Sequence, residues 1–124
     1  MRGHVLIVDD NPIDLKLAAE LLKAHGYAVD GAADAEEAQR LLLHQVPDLI
    51  VTDIALPGMD GLTFTRKLKA DDRLKHVPVV ALTAFAMRGD AELAAAAGCR
   101  SYIVKPVDVR RFAEQISEIL HPTG

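Results

Sequence analysis

One cysteine, Cys99, stands alone in the 124 residues, so no internal disulfide can form. With Gly98 before it and a charged residue after it, the thiol reads as a small packing group. The chain also lacks a basic run: fourteen Lys and Arg face eighteen Asp and Glu, for a net charge of −4. That excludes a broad surface for a phosphate backbone, so DNA and RNA are not expected as direct partners. Long hydrophobic runs are missing as well. The first, Val5 to Val8, is four residues long and ends in two acids, far short of a signal sequence or a membrane span. A cytoplasmic chain without membrane insertion is expected. There is no internal repeat, no low-complexity tract and no long linker. His4, His25, His44, His76 and His121 show no paired ligand spacing and read as surface or core residues. What is present is a composition half hydrophobic and a quarter charged, enough for one compact domain spanning residues 1–124 with a sizeable core and no room for a second.

The stretch from Pro47 to Gly61, PDLIVTDIALPGMDG, organises the rest. Leu49, Ile50 and Val51 form a short apolar run, which reads as a strand buried on both faces. It ends on Asp53, and the chain then breaks at Pro57-Gly58 and Asp60-Gly61.

Around this strand the pattern alternates. His4 to Val8 reads as a buried strand, followed by a helix capped by Asn11 with Pro12 at its first position. Leu17, Ala18, Leu21, Leu22 and His25 fall at helical spacing along it, and Gly26 stops it. Tyr27 to Ala32 alternates in polarity as an edge strand does. Asp34 can cap a helix whose apolar stripe is Ala38, Leu41 and Leu42 and which ends before Pro47. Gly61 to about Asp71 is expected as a third helix with Leu62, Phe64, Thr65 and Leu68 inward, and Val77 to Leu82 as a fourth strand. An alanine-rich helix from Arg88 to Ala97 stops at Gly98, a short strand covers Tyr102 to Val104, and Val109, Phe112, Ile116 and Leu120 mark a last amphipathic helix. Five strands alternating with five helices in so short a chain imply right-handed crossovers, hence a doubly wound α/β fold with a parallel sheet between helices.

In such a sheet all strands end on one edge, the edge where ligands bind. The first strand ends in Asp9-Asp10, the third in Asp53, the fourth in Thr83 and the fifth in Lys105-Pro106. Three carboxylates, a hydroxyl and an ammonium are thereby expected in one shallow pocket. Two unit charges about 4 Å apart repel by about 4 kcal/mol at an effective dielectric of 20, so the acids need a cation. The donors are hard oxygens, which favours a partly hydrated Mg²⁺ over zinc. Such an ion, with Lys105 and the Thr83 hydroxyl, suits a phosphoryl group in transfer to a carboxylate, a reaction governed by positioning and charge neutralisation.

These elements together, VLIVDD, LIVTDIALPGMDG, VVALTA and YIVKP, resemble the response-regulator receiver domains of the CheY type over essentially the whole chain. The resemblance implies the strand order 2-1-3-4-5. It implies Asp53 as phosphoacceptor, Asp9 and Asp10 as metal-binding acids, Ala55 as the residue lending a backbone carbonyl, Thr83 and Tyr102 as a switch pair, and Lys105 as the phosphoryl-binding lysine, with a cis bond to Pro106. The donor would be a phosphohistidine on a histidine kinase or phosphotransfer protein, meeting Asn11, Pro12, Leu15 and Pro106. A downstream target protein would dock near Met87, Arg88, Tyr102 and Arg110, on the face of the fourth helix, fifth strand and fifth helix. The stretches TAFAMRGD and AGCRSYIVKP are similar to DivK-type single-domain regulators, although receivers of hybrid kinases contain similar ones.

Where the family's hydrolytic water passes, two residues beyond Asp53 and Thr83, this chain has Ala55 and Phe85. Neither side chain can hold a water by a hydrogen bond, so slow self-dephosphorylation is expected. An aspartate-nucleophile phosphatase is the alternative from another class, but its general acid two residues after the nucleophile would here be Ala55. No turnover enzyme is therefore expected. Nothing in the sequence specifies the oligomeric state.

Overall fold

A computed structural model describes residues 2–84 and 89–121. The elements alternate as β1 (Gly3–Val8), α1 (Pro12–Ala24), β2 (Tyr27–Ala32), α2 (Ala35–Leu42), β3 (Leu49–Asp53), α3 (Gly61–Ala70), β4 (Val79–Thr83), α4 (Asp90–Ala97), β5 (Ser101–Val104) and α5 (Phe112–Leu120). All five strands are parallel in the order β2-β1-β3-β4-β5, the order the resemblance implied.

Strand alternation splits the core into two layers. Val5, Ile7, Leu49, Val51 and Leu82 face α1 and α5, where Leu22, Phe112 and Ile116 close over them. Leu6, Val8, Ile50 and Val79 face α2 and α3, meeting Leu42, Phe64 and Leu68. Phe64 and Phe112 are fully buried, so cutting either to alanine would cost about 3–5 kcal/mol. Continuous burial along β3 and β4 follows from helices covering both faces of the sheet.

The helix starts follow their caps. Asn11 Oδ1 accepts from the Ile13 and Asp14 N–H groups at 3.0 and 3.1 Å, Asp34 from Glu37 at 2.8 Å, and Asp60 from Thr63 at 2.8 Å. His25 ends α1, and Gly26 carries the turn at φ 92°.

Three expectations need correction. β4 begins at Val79 rather than Val77, because Pro78 has no N–H to give a ladder and Val77 N instead closes a turn onto the Leu74 carbonyl. Val109 is not on the last helix: Asp108 draws the Arg110 N–H onto its side chain at 2.9 Å, and α5 starts at Phe112 with Val109 57 % exposed in the preceding turn. His25, placed on the apolar stripe of α1, is exposed at the helix end. α4 is described from Asp90 onward; Arg88, taken as its start, lies outside the described residues together with Phe85 and Met87.

Candidate phosphoryl-transfer site

The carboxyl edge of the sheet gathers the expected residues. β1 delivers Asp9, 1 % exposed, whose N–H bonds the Ala32 carbonyl of β2 at 3.0 Å, while Asp10 turns out to solvent. β3 delivers Asp53, which is buried, and β4 delivers Thr83, also buried. β5 runs on into Lys105, whose backbone N–H bonds the Thr83 carbonyl at 2.7 Å. The fourth and fifth strand ends are therefore tied together at the site itself.

Lys105 is the electrostatic centre. Its Nζ lies 2.6 Å from Asp53 Oδ2, 2.7 Å from Asp9 Oδ2 and 3.2 Å from Asp14 Oδ2. Burial works to lower the pKa of this ammonium, but the hydrogen bonds and charges of Asp53 and Asp9 outweigh it and hold the value above that of an ordinary lysine. The Asp9 carboxyl also rises, which for an acid disfavours the charged form. Burial pushes its carboxyl up, Lys105 and the Asn11 N–H pull it down, and the charge of Asp53 pushes it up again, with a net rise.

Asp14 was not anticipated from sequence. Acids are common in a helix's first turn for reasons of the helix dipole alone, so nothing set this one apart. Gly61 is expected from sequence as part of a chain break and as the start of the third helix, yet it has a positional role as well. A Cβ there would stand 2.0 Å from the Asp53 carbonyl oxygen, and its N–H bonds the Ile54 carbonyl at 2.9 Å. The N-terminus of α3 is thus pressed directly against the backbone that carries Asp53, and only glycine leaves the room.

Carboxylate oxygens of Asp9, Asp10 and Asp53 lie within 4.8 Å of one another. Asp9 Oδ2 is buried, and its partner among the described residues is the Lys105 ammonium at 2.7 Å. Asp53 Oδ1 accepts from the Ala55 N–H at 2.9 Å. A set of three hard oxygen donors from clustered carboxylates, two of them on buried residues, fits a small divalent cation such as Mg²⁺.

Of the other candidates, Asn11 gives its N–H to Asp9 Oδ1 at 3.0 Å, and Pro12 and Pro106 stand exposed beside the pocket. The Lys105-Pro106 peptide is cis. Leu15 is partly buried, packed on the α1–α5 core layer and over Gly31, so it offers less surface to a partner than its neighbour Ile13, which is 77 % exposed. Tyr102 is half-buried on β5 opposite Ala81, so its side chain shares a sheet face with Thr83 on the next strand. It borders a hollow of about 200 Å³ against Ala91, Ala94 and Ala95 of α4. Arg110 is exposed in the turn before α5.

Comparison with known proteins shows the family and the fold. The family model of the response regulator receiver domain matches residues 5–117. The polar-differentiation response regulator DivK of Brucella anthropi is 47 % identical over 120 residues, covering 97 % of this chain and 98 % of that one. Among solved structures, a putative response regulator from Chloroflexus aurantiacus superposes with a TM-score of 0.90 at 30 % identity, covering 95 % of this chain and 97 % of that one. The receiver domain of a sensor histidine kinase from Pseudomonas aeruginosa, with a magnesium ion coordinated in its active-site cleft, gives 0.86 at 33 % identity, with 95 % and 97 % covered.

Proposed function

The chain belongs to the response-regulator receiver family, and on that premise we propose that Asp53 is the residue on which it accepts a phosphoryl group in two-component signalling. The observation that carries this assignment is the single ammonium of Lys105, within 2.7 Å of both Asp53 and Asp9, at an edge where the third acid also stands. One oxygen of Asp53 forms the bond to phosphorus as the P–N bond of a donor phosphohistidine breaks and its electron pair leaves with the imidazole. Lys105 sits where it can follow the developing charge on the phosphoryl oxygens, and the Ala55 N–H holds the carboxylate in place. Mg²⁺, held by Asp9, Asp10 and Asp53 with the Ala55 carbonyl, would neutralise the acids and present a coordination position to a phosphoryl oxygen.

The transferred group adds charge and acceptor oxygens beside Thr83. Movement of the Thr83 hydroxyl toward it and of Tyr102 into the space vacated would change the face of α4, β5 and α5 that a downstream target reads. Charged hydrogen bonds contribute about 1.5–3 kcal/mol each, and turning a 1:99 mixture into 99:1 takes about 5.5, so two or three new contacts suffice. Exposed Pro12, Ile13 and Pro106 beside the pocket suit docking of a kinase or phosphotransfer protein. Met87 and Arg88 stay candidates for the target face. With Ala55 next to the acceptor, the phosphorylated state is expected to outlast seconds and to be reset by a phosphatase or by back-transfer.

The likeness to DivK over nearly all of both chains supports a cytoplasmic messenger role, acting by docking in polar differentiation. No catalytic turnover is assigned to it. The test is incubation with an autophosphorylated histidine kinase. Label should leave the kinase and appear on this chain but not on Asp53→Asn, and assorted phosphate monoesters should not be turned over. Multiple turnover of such esters would favour a phosphatase instead.

A further inference from the structure

The opposite pole of the sheet carries a second group of cationic and polar side chains. There, residues just ahead of β1, β3, β4 and β5 meet the last turn of α5 around an open cavity of about 420 Å³, within the range of small-molecule pockets. Arg2, His76, Arg100 and His121 line it. Among the described residues, none of these four has a carboxylate within ion-pair distance. The one acid in the lining, Asp48, is committed elsewhere, its Oδ2 accepting the His4 N–H at 2.8 Å. In a chain with net charge −4, a pole with this local excess of cationic and donor groups is not accounted for by composition.

Part of the cluster has an internal explanation. Arg2 lies at the C-terminal end of α5, where the dipole favours cations, with its Nη1 3.4 Å from Ser117 Oγ, and the His121 ring is bonded through Nε2 to the Arg2 carbonyl at 3.2 Å. Arg100 and His76 come to the cavity from other elements and have no such side-chain partner among the described residues. A third cation is close by: Lys69 Nζ bonds the Val77 carbonyl at 2.6 Å, and burial followed by the charge of Arg100 lowers its pKa. The cavity also has an apolar wall that includes Pro78 and Leu120.

From this juxtaposition we propose that the cavity binds a small organic phosphate of nucleotide size, its phosphate gripped by the two guanidiniums and its ring laid on Pro78 and Leu120. Guanidinium groups suit phosphate oxygens because they present paired donors in one plane, and His76 adds a further polar group while His121 Nε2 holds the Arg2 carbonyl at 3.2 Å. The ligand would bind at the far end of the strands from Asp53.

The test uses the full ¹⁵N-labelled chain in the presence of EDTA, titrated with AMP, GMP and GDP, with inorganic phosphate and adenosine as controls. At least one nucleotide should give saturable amide shifts at Asp48, Val77 and Arg100 with a sub-millimolar Kd. Inorganic phosphate and adenosine should each bind at least about tenfold more weakly, and Arg2→Gln and Arg100→Gln should each weaken nucleotide binding by at least about tenfold. Both variants should melt like the wild type and accept phosphoryl on Asp53 as before. Absence of saturable shifts with all three nucleotides, equal affinity for inorganic phosphate, shifts confined to the Asp53 end, or unaltered binding by the arginine variants would each overturn the proposal.

Discussion

Lys105 Nζ lies 2.6 Å from Asp53 Oδ2 across 52 residues of sequence. The contact exists because β3 and β5 end on the same edge and β4 between them brings the two ends level. Lys105 is also the only cation within ion-pair distance of Asp9 among the described residues, so the pocket's charge balance rests on one side chain.

Replacing Lys105 by Met should therefore expose that balance. Removing one partner of a buried ion pair costs about 3–5 kcal/mol, and urea unfolding of the metal-free protein should lose close to that amount, with phosphoryl acceptance falling at least tenfold. The sign of the pH dependence follows from the raised pKa. A lysine held above its ordinary value contributes its stability in full below about 10.4 and loses it only as pH rises through the folded value. The gap between wild type and Lys105→Met should be flat through neutral pH and close in strong alkali.

Metal should stabilise this fold. At a Mg²⁺ concentration a hundred times its Kd, the gain is about 2.7 kcal/mol, read as a rise in melting temperature that EDTA reverses. Asp9→Asn should lose most of that rise. Because burial already disfavours the Asp9 charge, the metal-free variant should be at least as stable as the metal-free wild type. A destabilised variant that kept its response to Mg²⁺ would contradict the site.

Gly61→Ala would drive a methyl group against the Asp53 carbonyl, 2.0 Å away. Backbone cannot yield as a flexible side chain can, so a loss of about 3 kcal/mol is expected. Slower phosphoryl acceptance should accompany it as the β3–α3 loop shifts. Wild-type melting and rate in this variant would mean that α3 does not help set the position of Asp53.

The cap of α3 has its own signature. The Thr63 N–H, bonded to Asp60 Oδ1 at 2.8 Å, is the main cause holding the Asp60 carboxyl below its ordinary 3.8. Such a carboxylate stabilises the fold above 3.8 and loses that contribution as pH falls through its folded value. Asp60→Ala should cost about 1 kcal/mol at pH 7, and urea titrations should show the difference fading below that value.

Much of the fold could be read before any coordinates because its signals are local. Asn11-Pro12 and Asp34 announce helix starts, and β-branched runs ending in Asp9, Asp53 and Thr83 announce buried strands and the edge where they stop. What escaped was set by tertiary geometry. Val109 has helical spacing from Phe112, but the Asp108 turn delays the helix. Asp14 is an ordinary first-turn acid until β5 places Lys105 beside it. Gly61 looks like any turn glycine until the distance to Asp53 is known. Arg2, His76, Arg100 and His121 become one cluster only through the parallel register that lines up the strand beginnings.

The central claim is that the acids, threonine and lysine at the carboxyl edge make Asp53 a phosphoacceptor. Intact-mass spectrometry after incubation with a small-molecule phosphodonor, on wild type and Asp53→Asn with and without Mg²⁺, tests it most directly. One phosphoryl group should appear on the wild type, only with the metal present, and none on the variant. Equal modification of Asp53→Asn, or modification indifferent to Mg²⁺, would contradict the account.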